Sequence, residues 1–125
     1  MKHKILIIED DKDIRQTLSE SLRESDFEVA CASDGLEGLQ MFEQGDYDCI
    51  LLDLMLPKRN GLEVLNAIRQ VSQTPVIVVS AKDTDFDIAT ALDLRADDYL
   101  SKPFSLVELV ARVKTNVRSG KPVCR

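Results

Sequence analysis

Three unbroken apolar runs constrain this chain more than any other feature: Ile5-Leu6-Ile7-Ile8, Cys49-Ile50-Leu51-Leu52 and Val76-Ile77-Val78-Val79. Each is too short for a typical helix, and a run apolar at every position needs cover on both sides. That is the condition of a strand inside a parallel sheet. The segments between them have helical spacing: Ile14, Leu18 and Leu22; Leu36, Leu39 and Phe42; Leu62, Leu65 and Ile68; then Leu106, Leu109, Val110, Val113 and Val117. A weaker helix is expected around Phe86, Ile88, Ala89 and Leu92. Phe27, Val29 and Cys31 alternate with polar or small residues, and Tyr99-Leu100 is short, as edge strands tend to be. Five β-α units predict an α/β fold: a doubly wound, five-stranded parallel sheet with helices on both faces. Right-handed crossovers and the two edges favour the strand order 2-1-3-4-5.

A chain of 125 residues suits one domain, and 44% hydrophobic residues exclude a disordered tail. Residues 1–118 are read as that domain, and Ser119 through Arg125 as the start of a linker, since Gly120 and Pro122 stop a helix. A net charge of −6 argues against a nucleic-acid grip, which carries a basic face. No apolar run approaches the ~20 residues of a membrane span, so no membrane partner is expected. The cysteines Cys31, Cys49 and Cys124 are few and widely spaced, which suggests reduced thiols in the cytoplasm, with Cys31 and Cys49 as small core residues. His3 is the only histidine, so Ser-His-Asp and Cys-His mechanisms lack raw material.

In an open parallel sheet, sites form beyond the carboxyl ends of the strands, at the point where strand order reverses. The first strand ends at Glu9-Asp10-Asp11, the third at Asp53, the fourth at Ser80 and the fifth at Lys102. Clustered carboxylates repel unless a cation or proton joins them, and a hard divalent ion such as Mg²⁺ (or Mn²⁺) suits an all-oxygen set. Asp53, with Lys102 as counter-charge, is placed to attack phosphorus and form an aspartyl phosphate. Mg²⁺ and the Lys102 ammonium would offset charge on the phosphoryl group, and Ser80 would donate a hydrogen bond to it. Asp10 and Asp11 also suit the cap of the first helix, Ser80 that of the fourth. Tyr99 also reads as a plain edge-strand aromatic.

These residues resemble the receiver domain of bacterial two-component response regulators, a flavodoxin-like fold, over essentially all of residues 4–118. The resemblance rests on Ile7-Ile8-Glu9-Asp10-Asp11, Leu52-Asp53-Leu54-Met55-Leu56-Pro57 with Gly61, Ser80-Ala81-Lys82, and Ala96-Asp97-Asp98-Tyr99-Leu100 followed by Lys102-Pro103-Phe104. It implies that Asp53 accepts a phosphoryl group from a sensor histidine kinase. It implies a metal pocket of Glu9, Asp10, Asp53 and the Met55 backbone carbonyl, with Lys102 on Asp53 or its phosphate and Ser80 and Tyr99 as a coupled switch. The receiver would catalyse only its own phosphorylation and dephosphorylation.

Ala96 through Tyr99 with Glu108-Leu109-Val110-Ala111-Arg112 resembles the subfamily carrying a C-terminal winged-helix DNA-binding domain. Output there is transcriptional, and DNA would be bound only by that domain, which lies outside this chain. The same resemblance implies a homodimer through the fourth helix, fifth strand and fifth helix, with Asp97, Asp98, Glu108, Arg112 and Lys114 as interface charges. The sequence departs from that pattern at Ile88, where a basic partner for Glu108 is expected, at Arg95, where glycine is usual, and at Ser119, where arginine is expected. Glu108 and Arg112 also stand at i, i+4 and suit a pair on one solvated helix face. Lys58-Arg59 puts unusual positive charge in the loop after Pro57.

Other classes fit less well. An aspartyl-nucleophile phosphatase would carry a second Asp where Met55 stands. A flavin electron carrier would need a Ser/Thr/Gly phosphate loop where Glu9-Asp10-Asp11 stands. A stand-alone signalling module would not end in linker-like residues.

Overall fold

The computed structural model describes residues 2–56, 60–81 and 85–119, with side chains left undescribed at 85–87, 118 and 119. The expectations placed on Pro57, Lys58-Arg59, Lys82, the Phe86 side chain and residues 120–125 lie outside that set. The elements are β1 Lys4–Ile8, α1 Lys12–Glu24, β2 Glu28–Ala32, α2 Gly35–Gln44, β3 Cys49–Leu52, α3 Gly61–Val71, β4 Val76–Ser80, α4 Asp85–Asp93, β5 Asp98–Ser101 and α5 Leu106–Ser119. Every strand pairing is parallel, in the order β2-β1-β3-β4-β5. The expected fold class and strand order therefore hold. Helix α5 reaches Ser119, one residue into the stretch read as linker.

The three apolar runs are the middle of the sheet, and their side chains alternate between two cores. Leu6, Ile8, Ile50, Leu52, Val76 and Val78 pack one face with Val64, Leu65 and Ile68 of α3. Ile5, Ile7, Cys49, Leu51, Ile77 and Val79 pack the other with Leu18 and Leu22 of α1 and Leu109 and Val113 of α5. Burial of each such Ile or Leu contributes about 1.5–3 kcal/mol, so the central strands carry most of the sheet's stability. Strand β2, half-buried along most of its length, contributes less.

Helix starts follow their side-chain caps. Asp11 accepts from the Ile14 amide at 3.0 Å, Asp34 caps α2, and Asn60 with Glu63 forms a capping box on α3. Ser80 is the last residue of β4 and not the cap of a helix that begins at Asp85. Helix α4 corrects one expectation: Leu92 is 49% exposed and Ala89 is exposed, while Ala91 is the buried contact. Cys31 is a second correction: it is half-buried at the edge, with its sulfur 3.3 Å from the Ser19 hydroxyl, whereas Cys49 is core. Burial, the largest cause, pushes the Cys49 thiol up to about 12. Among the described residues no helix is long and apolar enough to cross a membrane.

Candidate functional site

The carboxyl ends of β1 and β3 are adjacent, because Ile8 pairs with Leu52. The Asp53 amide continues the ladder onto the Ile8 carbonyl at 3.0 Å, and the Glu9 amide donates to Ala32 at 3.0 Å. Glu9 and Asp53 are thus held by extended backbone at 2% and 4% exposure, while Asp10 faces solvent. One carboxylate oxygen from each of Glu9, Asp10 and Asp53 lies within 4.8 Å of the others. Of the site residues expected at strand ends, the structure brings Glu9, Asp10, Asp53 and Lys102 together.

Lys102 follows β5 and bridges the two buried acids. Its Nζ donates to Asp53 Oδ2 and Glu9 Oε1, both at 3.0 Å. The other oxygens are occupied from the backbone: the Met55 amide donates to Asp53 Oδ1 at 2.9 Å and the Asp11 amide to Glu9 Oε2 at 3.1 Å. Burial alone would lower the Lys102 pKa, but the bonds to Asp53 and Glu9 outweigh it and the value is raised. The Glu9 pKa is raised too, to about 7, which for a carboxylate disfavours the charged form: burial comes first and the contact with Asp53 adds to it, against the Asp11 amide and Lys102. Three carboxylates against one ammonium leave an uncompensated negative pocket of oxygen donors, which fits a hard divalent cation.

Gly61 shows why the loop after Asp53 needs a glycine. A Cβ there would lie 2.4 Å from Leu54 Cα and 2.6 Å from the Asp53 carbonyl oxygen. The Gly61 amide donates to the Leu54 carbonyl at 3.0 Å, so the start of α3 is pressed onto the loop that follows Asp53. The sequence reading missed Arg15, whose Nη1 donates to the carbonyls of Glu9 at 2.8 Å and Asp10 at 3.2 Å. A basic residue four positions after the Asp11 cap was the available signal.

Ser80 is fully buried, and the Lys102 amide donates to its carbonyl at 2.9 Å. Tyr99 packs against the core on the α3 side of the sheet, with its hydroxyl buried. The Lys102–Pro103 peptide bond is cis. Four of the five residues expected at a dimer interface are paired within the chain. Arg112 donates to Asp98 at 2.6 Å and to Glu108 at 3.0 Å. Asp97 accepts from Arg69 at 2.5 Å. Lys114 is exposed.

The chain is thus a doubly wound sheet with acids from two adjacent strand ends, bridged by a lysine that follows a third strand. Residues 5–114 match the response regulator receiver domain family, and the chain belongs to that family. A receiver is a regulatory domain, which sets aside the phosphatase and flavin alternatives. Over 113 residues the chain is 48% identical to the uncharacterized transcriptional regulatory protein YcbL of Bacillus subtilis, covering 90% of this chain and 50% of that protein. It thus spans about half the length of that relative. The Francisella response regulator 1452 receiver domain is 36% identical with a TM-score of 0.90, covering 94% of this chain and 98% of that one. A receiver domain of a Pseudomonas aeruginosa sensor histidine kinase is 28% identical with a TM-score of 0.87, covering 95% of this chain and 100% of that one. That structure has a magnesium ion coordinated in its active site cleft.

Proposed function

We propose that Asp53 accepts a phosphoryl group from the phosphohistidine of a sensor histidine kinase, in a reaction dependent on Mg²⁺ or Mn²⁺. The observation that carries this is the Asp53 carboxylate itself: buried, fixed by the Met55 amide and Lys102, and within 4.8 Å of two further acids. An Asp53 oxygen forms the new P–O bond as the P–N bond breaks, and the electron pair leaves on the imidazole. Asp10, Asp53, the Met55 carbonyl and the nearby Glu9 would hold the divalent cation, which when bound would supply charge neutralisation at the phosphoryl oxygens. Lys102 moves from the carboxylate to the phosphate it has become, and Ser80 donates to a phosphoryl oxygen. Tyr99 follows Ser80, and the α4-β5-α5 face changes. The phosphoryl group shifts this equilibrium only by binding the active arrangement better.

The output of this reading is transcriptional, through a winged-helix domain C-terminal to this chain, in the cytoplasm of a bacterium. The relative's name as a transcriptional regulator and its double length support it. A homodimer through α4-β5-α5 would have to share or exchange the pairs that Arg112 makes with Asp98 and Glu108 in one chain.

Intact-mass spectrometry after incubation with Mg²⁺ and acetyl phosphate tests the acceptor. The expected result is a hydroxylamine-labile gain of one phosphoryl, about 80 Da, absent from Asp53→Ala. A gain that persists in Asp53→Ala would move the acceptor elsewhere.

A further inference from the structure

We propose that Arg69 is the positioning residue of the α4–β5 switch: it pins the C-terminal end of α4 to the starts of β4 and β5, so that α4 responds to phosphorylation by swinging its other end. The inference rests on the reading of Asp53 as phosphoacceptor.

Arg69 stands in the last turn of α3 with its side chain 7% exposed. Its Nε donates to the Arg95 carbonyl at 2.9 Å, Nη1 to the Thr74 carbonyl at 2.7 Å, and Nη2 to Asp97 Oδ1 at 2.5 Å. Asp97 Oδ1 also takes the Val76 amide at 2.9 Å, and the Asp97 amide donates to the Val76 carbonyl at 2.8 Å. One planar fork thus joins the α3–β4 connection, the end of α4 and the start of β5. A lysine could not span that geometry. Burial lowers the Arg69 pKa and Arg95 adds to the shift, with Asp97 opposing it.

Two small side chains flank the pinned end of α4 on the core side. Ala91 is fully buried, and Ala96 just beyond the helix is 9% exposed. Ile88 and Thr90 are half-buried, and Ala89, Leu92 and Asp93 are exposed. The groups a phosphoryl would draw, Ser80 and Lys102, stand at the opposite ends of β4 and β5. Each strand is therefore held at one end and acted on at the other. Asp97, committed within the chain to Arg69 and to Val76, is part of this clamp.

The test is amide hydrogen exchange read by NMR, with and without Mg²⁺ and beryllofluoride. In the parent, Ile88 to Ala91 should change on adding beryllofluoride, while Arg95, Ala96 and Asp97 stay protected within about twofold. In Arg69→Gln, protection at those three amides should fall about tenfold or more, with β1 and β3 unaffected, and the ligand-induced change should spread to them. Phosphoryl uptake at Asp53, read by mass, should remain, since the clamp lies at the far end of the sheet. Equal responses at both ends of α4 in the parent, or an unchanged pattern in Arg69→Gln, would overturn the proposal. So would a uniform loss of protection. Should Arg69→Gln fail to fold, Asp97→Asn, which weakens the clamp by one charge, is read by the same criteria. If beryllofluoride does not bind, the phosphoacceptor reading fails, and the unliganded exchange still decides whether Arg69 holds the end of α4.

Discussion

At the scale of single residues, Glu9 is the group whose protonation the fold has altered most usefully. Its pKa rises from 4.5 to about 7, chiefly by burial. The metal-free folded protein therefore binds more protons than the unfolded chain between those values, and stability falls as pH rises through that window. The loss attributable to Glu9 should be roughly 1–3 kcal/mol. Urea midpoints of parent and Glu9→Gln at pH 5, 6 and 7 isolate it: the parent should weaken relative to the variant as pH rises. A constant difference would mean that Glu9 is already ionised at pH 5. Gly61 is the second residue on which the site depends. In Gly61→Ala the new methyl meets Leu54 and Asp53 backbone atoms inside 3 Å, and backbone cannot swing aside as a side chain does. The substitution should cost about 1–3 kcal/mol and also slow phosphoryl uptake, because the displaced loop carries Asp53. An unchanged melting temperature would show that the loop yields freely.

At the scale of elements, two helices end in the same way without the residue that usually ends them. In α1 the Phe27 and Asp26 amides donate to Leu22 and Arg23; in α4 the Ala96 and Arg95 amides donate to Ala91 and Leu92. These are Schellman closures, and they require φ > 0 at Asp26 (76°) and Arg95 (70°). Asp tolerates that conformation better than Arg, because its short side chain bonds locally. Arg95→Gly should therefore stabilise by up to about 1 kcal/mol, with Asp26→Gly near neutral after the added freedom of the unfolded glycine. Denaturant titration of both variants checks the order; a destabilised Arg95→Gly would mean that the Arg95 side chain contributes more than its backbone costs. Arg95 was visible in the sequence as a departure from glycine, but not the reason that it matters. The Arg69–Asp97 clamp was invisible, because it joins residues 28 apart through two loops and leaves no periodic trace. The strands were legible because burial on both faces demands unbroken apolar runs. Glu9, Asp53, Ser80 and Lys102 followed from those strand ends.

At the scale of the whole molecule, the sheet presents its acidic site at the carboxyl ends of its strands and its clamp at the opposite ends of β4 and β5, and the charge balance disfavours a nucleic acid. The chain carries 22 acidic against 16 basic residues, and the cluster of Glu9, Asp10 and Asp53 concentrates negative charge at the site. Several of the cations are already committed: Lys102 to two carboxylates, Arg112 to two more and Arg69 to Asp97. Binding to a duplex gains its free energy from cations that replace condensed counterions, and paired cations have less to give. This chain should therefore leave duplex DNA of any sequence unretarded in a gel-shift assay, even at low salt, with or without acetyl phosphate. A protein extended to the length of its Bacillus subtilis relative should retard DNA if the added residues carry the proposed winged helix. Retardation by the present chain that weakens steeply with added salt would place a basic grip within these 125 residues and would overturn the division of labour between receiver and output.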